Sequence, residues 1–346
     1  MVWAGGEPKR PPNRRRPGGR WRSWGPSFAP AKEFSTVEAT KENGLTIETG
    51  QPFRTGFVAI VGAPNVGKST LLNQLLKQRL SIVSKKPQTT RNRILGIYNG
   101  AGCQILFFDT PGFHQGSTPL DRFLTEQALK ACSQVDLVLV LAEARGQGSL
   151  LPLPLLEVIA RNRIPALLAI NKIDLIERPR LLPLMENLAR QFPFREIVPV
   201  SALKKEGLAE LVAAMVRLLP EGPPLYPEDL VSDLPERFFA AELIREQVLK
   251  NIHGEIPYGT AVCIESFKEK DDGLVVIEAA LIVEKESHKK IIVGLKGQMI
   301  RRIGEAARAE LEKFLGTRVF LQTFVRVEKN WTRSQGKMDE FGYHDR

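Results

Sequence analysis

A five-residue apolar run, Phe57–Val61, opens directly into Gly62-Ala63-Pro64-Asn65-Val66-Gly67-Lys68-Ser69, and an amphipathic stretch, Lys68–Lys77, follows at once. Glycines at the two ends of this G-x-x-x-x-G-K-S octet let successive backbone N–H groups turn inward around an anion. The N-terminus of the following helix adds its positive end at the same point. Strand, loop and helix in that order begin a βαβ unit, so the octet constrains the fold as well as the chemistry. Within it, Lys68 is expected to reach the β- and γ-oxygens of a nucleotide and Ser69 to ligate Mg²⁺. Thr70 follows on the first helical turn.

Short apolar runs then alternate with helical patterns. The strand-like runs are Phe57–Val61, Ile94–Tyr98, Gln104–Phe108, Leu137–Leu141, Ala166–Ile170 and Ile197–Val200; Lys68–Lys77, Pro119–Ala131 and Gly207–Leu218 are amphipathic. The turn Asn99-Gly100-Ala101-Gly102 joins the second run to the third as a hairpin. This pattern predicts a doubly wound, mostly parallel α/β sheet with helices on both faces and one antiparallel edge strand. Five prolines in the sixteen residues Pro220–Pro235 read as a stiff linker. Beyond it the order changes to helix (Glu236–Lys250), strand (Thr260–Lys268), strand (Leu274–Val283), helix (Gln298–Phe314) and strand (Arg318–Val327), a smaller α+β domain. The expected organisation is a basic tail over 1–53, the α/β domain over 54–219, the linker over 220–235, the second domain over 236–331 and a frayed tail over 332–346.

At 346 residues and 43% hydrophobic, the chain can bury two cores. Cys103, Cys132 and Cys263 lie far apart with no C-x-x-C pair, which excludes a disulfide framework or a cysteine zinc site and fits a reducing compartment. No apolar run approaches the roughly 20 residues of a membrane helix, so a soluble intracellular protein is expected. The net charge of +10 is uneven: residues 1–50 hold 9 Lys/Arg against 5 Asp/Glu, residues 51–222 hold 21 against 13, and residues 223–346 hold 19 against 21. That excess suits an anionic partner without identifying one. The segment Lys9–Arg20, rich in Arg, Pro and Gly, is expected to be disordered. It lacks the apolar core of a secretory signal; an organellar transit peptide is the lesser alternative.

Three further stretches specialise the site for GTP. Phe107-Phe108-Asp109-Thr110-Pro111-Gly112 places a carboxylate at the end of a buried strand, suited to the Mg²⁺ shell, and Gly112 where its N–H can feel a γ-phosphate. Ala169-Ile170-Asn171-Lys172-Ile173-Asp174 lies at another strand end. Guanine presents adjacent N1–H and N2–H donors that one carboxylate can accept as a pair, which suits Asp174. Asn171 can meet the base edge and the Lys172 stem can cover the ring. Ser201-Ala202-Leu203 ends the last strand, with the Ala202 N–H a candidate donor to guanine O6.

These motifs resemble the TrmE–Era–EngA branch of translation-factor-like GTPases, and Ser81-Ile-Val-Ser-Lys-Lys-Pro87-Gln-Thr89-Thr90-Arg91 resembles the first switch of the Era family within it. The resemblance covers about residues 56–331. It implies that Thr90, with Thr89 as the register alternative, ligates Mg²⁺ when GTP is bound. The basic residues Lys85, Lys86, Arg91 and Arg93 beside it contact RNA or solvent. Where Ras-type GTPases carry a water-orienting Gln after D-x-x-G, this chain has Phe113. The family has the same hydrophobic replacement, and the adjacent His114 reads as a loop histidine. Catalysis is then expected from Lys68, Thr90, Mg²⁺ and backbone groups such as Gly112, with slow turnover. The resemblance also implies a potassium ion near Asn65.

In the second domain, Gly294-Leu295-Lys296-Gly297 sits between two helical segments. Within an α-β-β-α-α-β order it resembles the G-x-x-G loop of type II KH modules, which clamps about four nucleotides of backbone. Ile292, Ile300 and Ile303 are candidates for an aliphatic groove beneath the bases, and Lys296, Arg301 and Arg302 for phosphate contacts. Trp331 either stacks on a base or, preferably, staples the chain terminus.

The sequence thus reads as a GTP- and Mg²⁺-dependent switch. Its family resemblance implies binding to the 3′ end of 16S rRNA, a role in small-subunit assembly, a monomer, and loose association with the inner membrane face. The rivals are a tRNA-modification GTPase, which would need a C-terminal cysteine motif that is absent, and a signalling switch using the KH-like fold to bind protein.

Overall fold

The computed structural model describes residues 52–343 except 85, 87, 114–117 and 146–150. The expectations for the basic tail, for Lys85 and for His114 therefore lie outside the described residues.

The first domain is built from β1 (Arg54–Gly62), α1 (Lys68–Leu76), β2 (Ile94–Gly100), β3 (Cys103–Asp109), α2 (Pro119–Ser133), β4 (Leu137–Glu143), α3 (Leu153–Arg161), β5 (Ala166–Asn171), α4 (Leu181–Ala189), β6 (Glu196–Pro199) and α5 (Leu208–Leu218). The six strands lie in the order β2-β3-β1-β4-β5-β6. All neighbours are parallel except β2 with β3, the hairpin pair at the edge. Alternate strand residues feed two cores. Val58, Ile60, Leu139 and Leu141 pack with α1 and α5 on one face; Ala59, Val61, Val138 and Val140 pack with α2, α3 and α4 on the other. Because β3 and β4 leave β1 on opposite sides, a crevice opens at the carboxyl end of β1, the topological switch point where such sheets bind ligands.

The second domain comprises α6 (Glu236–Asn251), β7 (Ala261–Glu269), β8 (Val275–Val283), α7 (Glu286–Val293), α8 (Gln298–Leu315) and β9 (Val319–Val327). Its sheet runs β7-β8-β9, antiparallel then parallel, with α6 and α8 packed on one face.

Two expectations about organisation need correction. Residues 331–343 do not fray. A 3₁₀ turn at Trp331–Arg333 and α9 (Gln335–Glu340) place Trp331, Met338, Phe341 and Tyr343 in a small core with Leu120, Phe123 and Leu124 of α2 and Ala280 and Ile282 of β8. Trp331 is fully buried and its indole N–H donates to Gly259 O at 3.0 Å, which is the stapling role rather than base stacking. The apolar residues of this segment are spaced 7, 3 and 2 apart, so no helical or strand period announces them. The proline-rich segment, in turn, is not a free spacer. Gln104 holds it through Tyr226 O (2.8 Å) and the Leu225 and Tyr226 N–H groups, and Ile97 N–H donates to Val231 O at 2.8 Å. It covers the edge of β2, blunting an otherwise open strand. Among the described residues, no helix is long and apolar enough to cross a membrane.

Candidate functional site

The octet closes around the end of β1 through three left-handed residues, Gly62 (φ 148°), Asn65 (φ 62°) and Gly67 (φ 103°). A Cβ at Gly67 would come within 2.2 Å of Asn171 Nδ2, and one at Gly62 within 2.4 Å of Leu141 O, so both glycines are required by space as well as by torsion. Lys68 folds back over the loop and donates to Gly62 O (3.1 Å) and Ala63 O (2.9 Å). Gly112 lies against the loop: a Cβ there would meet Pro64 Cα at 2.8 Å, while Phe113 N–H donates to Gly62 O at 3.0 Å. Thr110 is tied to β1 through Ile60 O at 2.8 Å, and Pro111 is buried beside it.

Opposite the loop, three oxygen donors converge. Ser69 Oγ donates to Asp109 Oδ2 at 2.8 Å and lies 2.9 Å from Thr90 Oγ1, which itself donates to Asp109 Oδ2 at 3.3 Å. Thr89 instead spends its hydroxyl on Lys86 O, so Thr90 is the threonine that the fold brings to this cluster. Asp109 Oδ1 is buried without a hydrogen-bond partner. Burial pushes the Asp109 carboxyl above its ordinary value, against the pull of Ser81, Lys68, Ser69 and Thr90. One carboxylate and two hydroxyls are hard donors for a cation completed by phosphate and water, which fits Mg²⁺.

Burial pushes the Lys68 ammonium down to about 8, with nearby Asp109 drawing it back up. A bound polyphosphate favours the charged form and so raises this value. Binding energy that depends on the ammonium is then complete below the free value and lost as pH rises through it. Nucleotide affinity is expected to weaken about fourfold between about pH 7 and pH 8.5, with proton uptake on binding, from linkage to a free value near 8. Calorimetry in two buffers of different ionisation enthalpy measures that uptake. It should vanish in Lys68→Met, and its absence from the unaltered protein would show that the free lysine is already charged.

On the far side of the cleft, Asp174 is exposed and accepts from Ser201 Oγ at 2.5 Å through Oδ1, leaving Oδ2 for a base. Lys172, left-handed at φ 65°, pairs with Glu143 at 2.9 Å, and its half-buried stem lies along the cleft beside exposed Leu203. Asn171 also has a structural task. Its amide donates to Val66 O (2.8 Å) and accepts from Ala202 N–H (3.0 Å). These bonds tie the phosphate loop to the last strand end; a second amide N–H and a second oxygen lone pair remain, and both Asn171 and Ala202 line the cleft. The whole cleft encloses about 870 Å³ and is walled on one side by Leu249 and Lys250 of α6.

In the second domain, Gly294 (φ 72°), Lys296 (φ 49°) and Gly297 (φ 78°) make a tight turn between α7 and α8. Leu295 is 77% exposed, and Lys296, Arg301 and Arg302 project into solvent around it. Arg301 pairs with Glu305 at 2.9 Å on the open surface, a contact readily exchanged for a phosphate. Ile300 is half-buried on the first turn of α8. Ile292 and Ile303, however, are completely buried in the domain core and cannot line a groove for bases. Ile291, 51% exposed, is the aliphatic residue that α7 presents instead. The helix has two neighbouring isoleucines, and only its docking angle decides which one faces inward.

The basic switch loop is also corrected: its described cations contact the protein itself. Arg91 is fully buried and donates to Thr260 O, Tyr258 O and Tyr343 Oη; Lys86 caps the carbonyls of Leu249 and Ile252 at the end of α6; Arg93 stacks on Phe108. Sequence reasoning missed three residues of α6 that bear on the same loop: Arg245, paired with Glu242, donates to Thr89 O, and Glu246 takes Arg79 and the Val83 N–H. The available signal was three charges within five residues of a helix whose other positions are largely apolar.

Strand-end loops converging on a cleft at the switch point of a parallel sheet, joined to a domain with the α-β-β-α-α-β order and a G-x-x-G turn, define a P-loop GTPase with a C-terminal KH domain. Accordingly, the family model described as 50S ribosome-binding GTPase matches residues 57–172, and the one described as KH domain matches residues 255–332. GTPase Era of Geotalea uraniireducens (strain Rf4) is 50% identical over 295 residues, 85% of this chain and 99% of its own length. That of Geobacter metallireducens is 50% identical over 293 residues, 84% and 98%. The chain belongs to the Era family of GTPases. Among solved structures, Era in complex with MgGDPNP and nucleotides 1506–1542 of 16S ribosomal RNA is similar at a TM-score of 0.77 and 40% identity, over 84% of this chain and 99% of that one. A variant of Aquifex aeolicus Era bound to GDP·AlF4⁻ matches with the same score, identity and coverage.

Proposed function

We propose that this GTPase binds GTP with Mg²⁺ in the strand-end cleft and, in that state, binds the 3′ end of 16S rRNA through the Gly294–Gly297 turn, acting in small-subunit assembly. The observation that carries the reading is the pairing of a complete phosphate loop with an exposed, cation-ringed G-x-x-G turn in one chain. The solved 16S rRNA complex of a 40% identical Era supports the choice of RNA.

In this reading the backbone N–H groups from Asn65 to Gly67 cradle the phosphates, Pro64 having none to offer, and Lys68 exchanges its two carbonyl contacts for phosphate oxygens. Asp174 selects guanine, with Lys172 and Leu203 flanking the ring. Ser69, Thr90 and Asp109 would hold Mg²⁺, which supplies charge neutralisation between the phosphates when bound. Gly112, pressed on Pro64, directs its backbone toward the γ-phosphate. Phe113 is buried and can neither accept a proton nor orient water by hydrogen bonding, so hydrolysis is expected to be slow and driven by positioning and charge. A potassium ion at Asn65, a monomeric state and loose peripheral contact with the membrane complete the reading, on the family resemblance alone. The signalling alternative is not favoured, since the cations around the turn suit phosphates better than a protein surface.

Binding of a short RNA matching the 3′ end of 16S rRNA, measured with the protein loaded with a GTP analogue or with GDP, tests this reading. Tighter binding in the GTP-analogue state is expected. Equal, weak binding in both states would detach the ribosomal assignment from the GTPase.

A further inference from the structure

The segment that carries Thr90 is held by the KH domain along most of its length. Ile82 inserts into the KH-domain core and Val83 N–H donates to Glu246 Oε1 at 3.1 Å. Arg79 bridges Glu246 of α6 and Glu310 of α8. Closest to the site, Arg245 makes a two-pronged pair with Glu242 (2.8 and 2.6 Å) and also donates to the carbonyl of Thr89, while Arg91 on the other side of Thr90 is buried among the carbonyls of residues 257–260. Thr90 is therefore clamped at both neighbouring residues by the second domain, with its hydroxyl already 2.9 Å from Ser69 Oγ.

In GTPases whose first switch is ordered only by the γ-phosphate and Mg²⁺, the nucleotide must supply the whole ordering free energy. Here part of it comes from α6. The Arg245 fork is well suited to hold the switch, because it is fully charged and rigid and its buried carboxylate partner fixes its direction. We propose that Arg245 is a positioning residue for GTP hydrolysis. It holds Thr90 in its Mg²⁺-binding place through the Thr89 carbonyl, so that the KH domain acts as an intramolecular activator of the GTPase. Linkage makes the coupling reciprocal: GTP with Mg²⁺ stabilises the docked KH domain, and docking favours GTP over GDP. The proposal rests on the reading of Thr90 as the Mg²⁺-linked switch residue.

Removing Arg245 alone would strand the buried Glu242 charge and risk unfolding. The test therefore uses the paired Glu242→Gln, Arg245→Met variant, which removes both charges at similar volume, in unaltered and Thr90→Ala backgrounds of the full chain. Single-turnover hydrolysis is expected to slow about tenfold in the unaltered background, within the usual range of intersite coupling, with no further loss in the Thr90→Ala background and unchanged GDP affinity. The preference for a GTP analogue over GDP should fall by the same factor. An equal loss in both backgrounds, or no loss in the unaltered one, would overturn the positioning role. Should Thr90→Ala itself hydrolyse GTP normally, the reading of Thr90 fails and the proposal falls with it, a distinct and recognisable result.

Discussion

Replacing Lys68 with alanine is expected to slow GTP hydrolysis by about 10²–10³-fold, the usual cost of losing one preorganised group aimed at transition-state charge. Lys68 is buried at the base of the cleft, where its Nζ lies within the phosphate loop beside Gly62 O and Ala63 O. Among described side chains, it is the cation enclosed by the phosphate loop, and Phe113 brings no compensating polar group. The loss should fall mainly on kcat, because negative charge on the β–γ bridge and the leaving diphosphate grows as the bond breaks. GDP affinity should weaken less than that of a GTP analogue. Steady-state turnover and nucleotide binding by a fluorescent analogue distinguish the two effects. A variant that loses affinity for GDP and GTP equally, with kcat intact, would reduce Lys68 to a general binding residue. The direct partners of Lys68 are two backbone carbonyls, and Asp109 keeps its bonds to Ser69 and Thr90, so the fold should survive.

The second large effect is expected at the KH turn. Leu295→Asp with Lys296→Asp should weaken RNA binding by at least about a hundredfold, because juxtaposing like charges in an interface costs several kcal/mol. Two exposed positions of the proposed RNA site would turn from apolar and cationic to anionic. Leu295 and Lys296 are both exposed and outside the domain core, so neither change disturbs packing. GTP hydrolysis without RNA should be unaffected. Filter binding at several salt concentrations gives the comparison, and the unaltered protein should show a modest slope, roughly −0.7 per phosphate neutralised on a single strand. Retained RNA affinity in the double variant would remove the turn from the RNA site.

Residues whose roles depend on neighbours in sequence were readable without coordinates. The octet from Gly62 to Ser69 needs left-handed backbone at fixed positions, and glycine marks two of them. Asp109 and Asp174 follow apolar strands, so their arrival at the sheet's carboxyl edge follows from strand period alone. The hairpin at Asn99–Gly102 and the order of the second domain were legible for the same reason.

Three other features became visible only with the fold. Ile292 and Ile291 are equivalent in composition and differ only in which side of α7 meets the core. Asn171 links Val66 O to the Ala202 N–H, a tie between two strand-end loops that no local pattern announces. Lys86 and Arg91 read as free cations until the ends of α6 and β7 supply carbonyl partners more than 150 residues away. Local sequence determined the backbone shape of each loop and the strand that carries it, because torsional preference and hydrophobic period act over a few residues. Tertiary structure alone decided which face of a helix is buried, which polar atoms are already satisfied, and that the switch loop docks on the KH domain. Those outcomes depend on packing between segments whose separation along the chain carries no periodic signal.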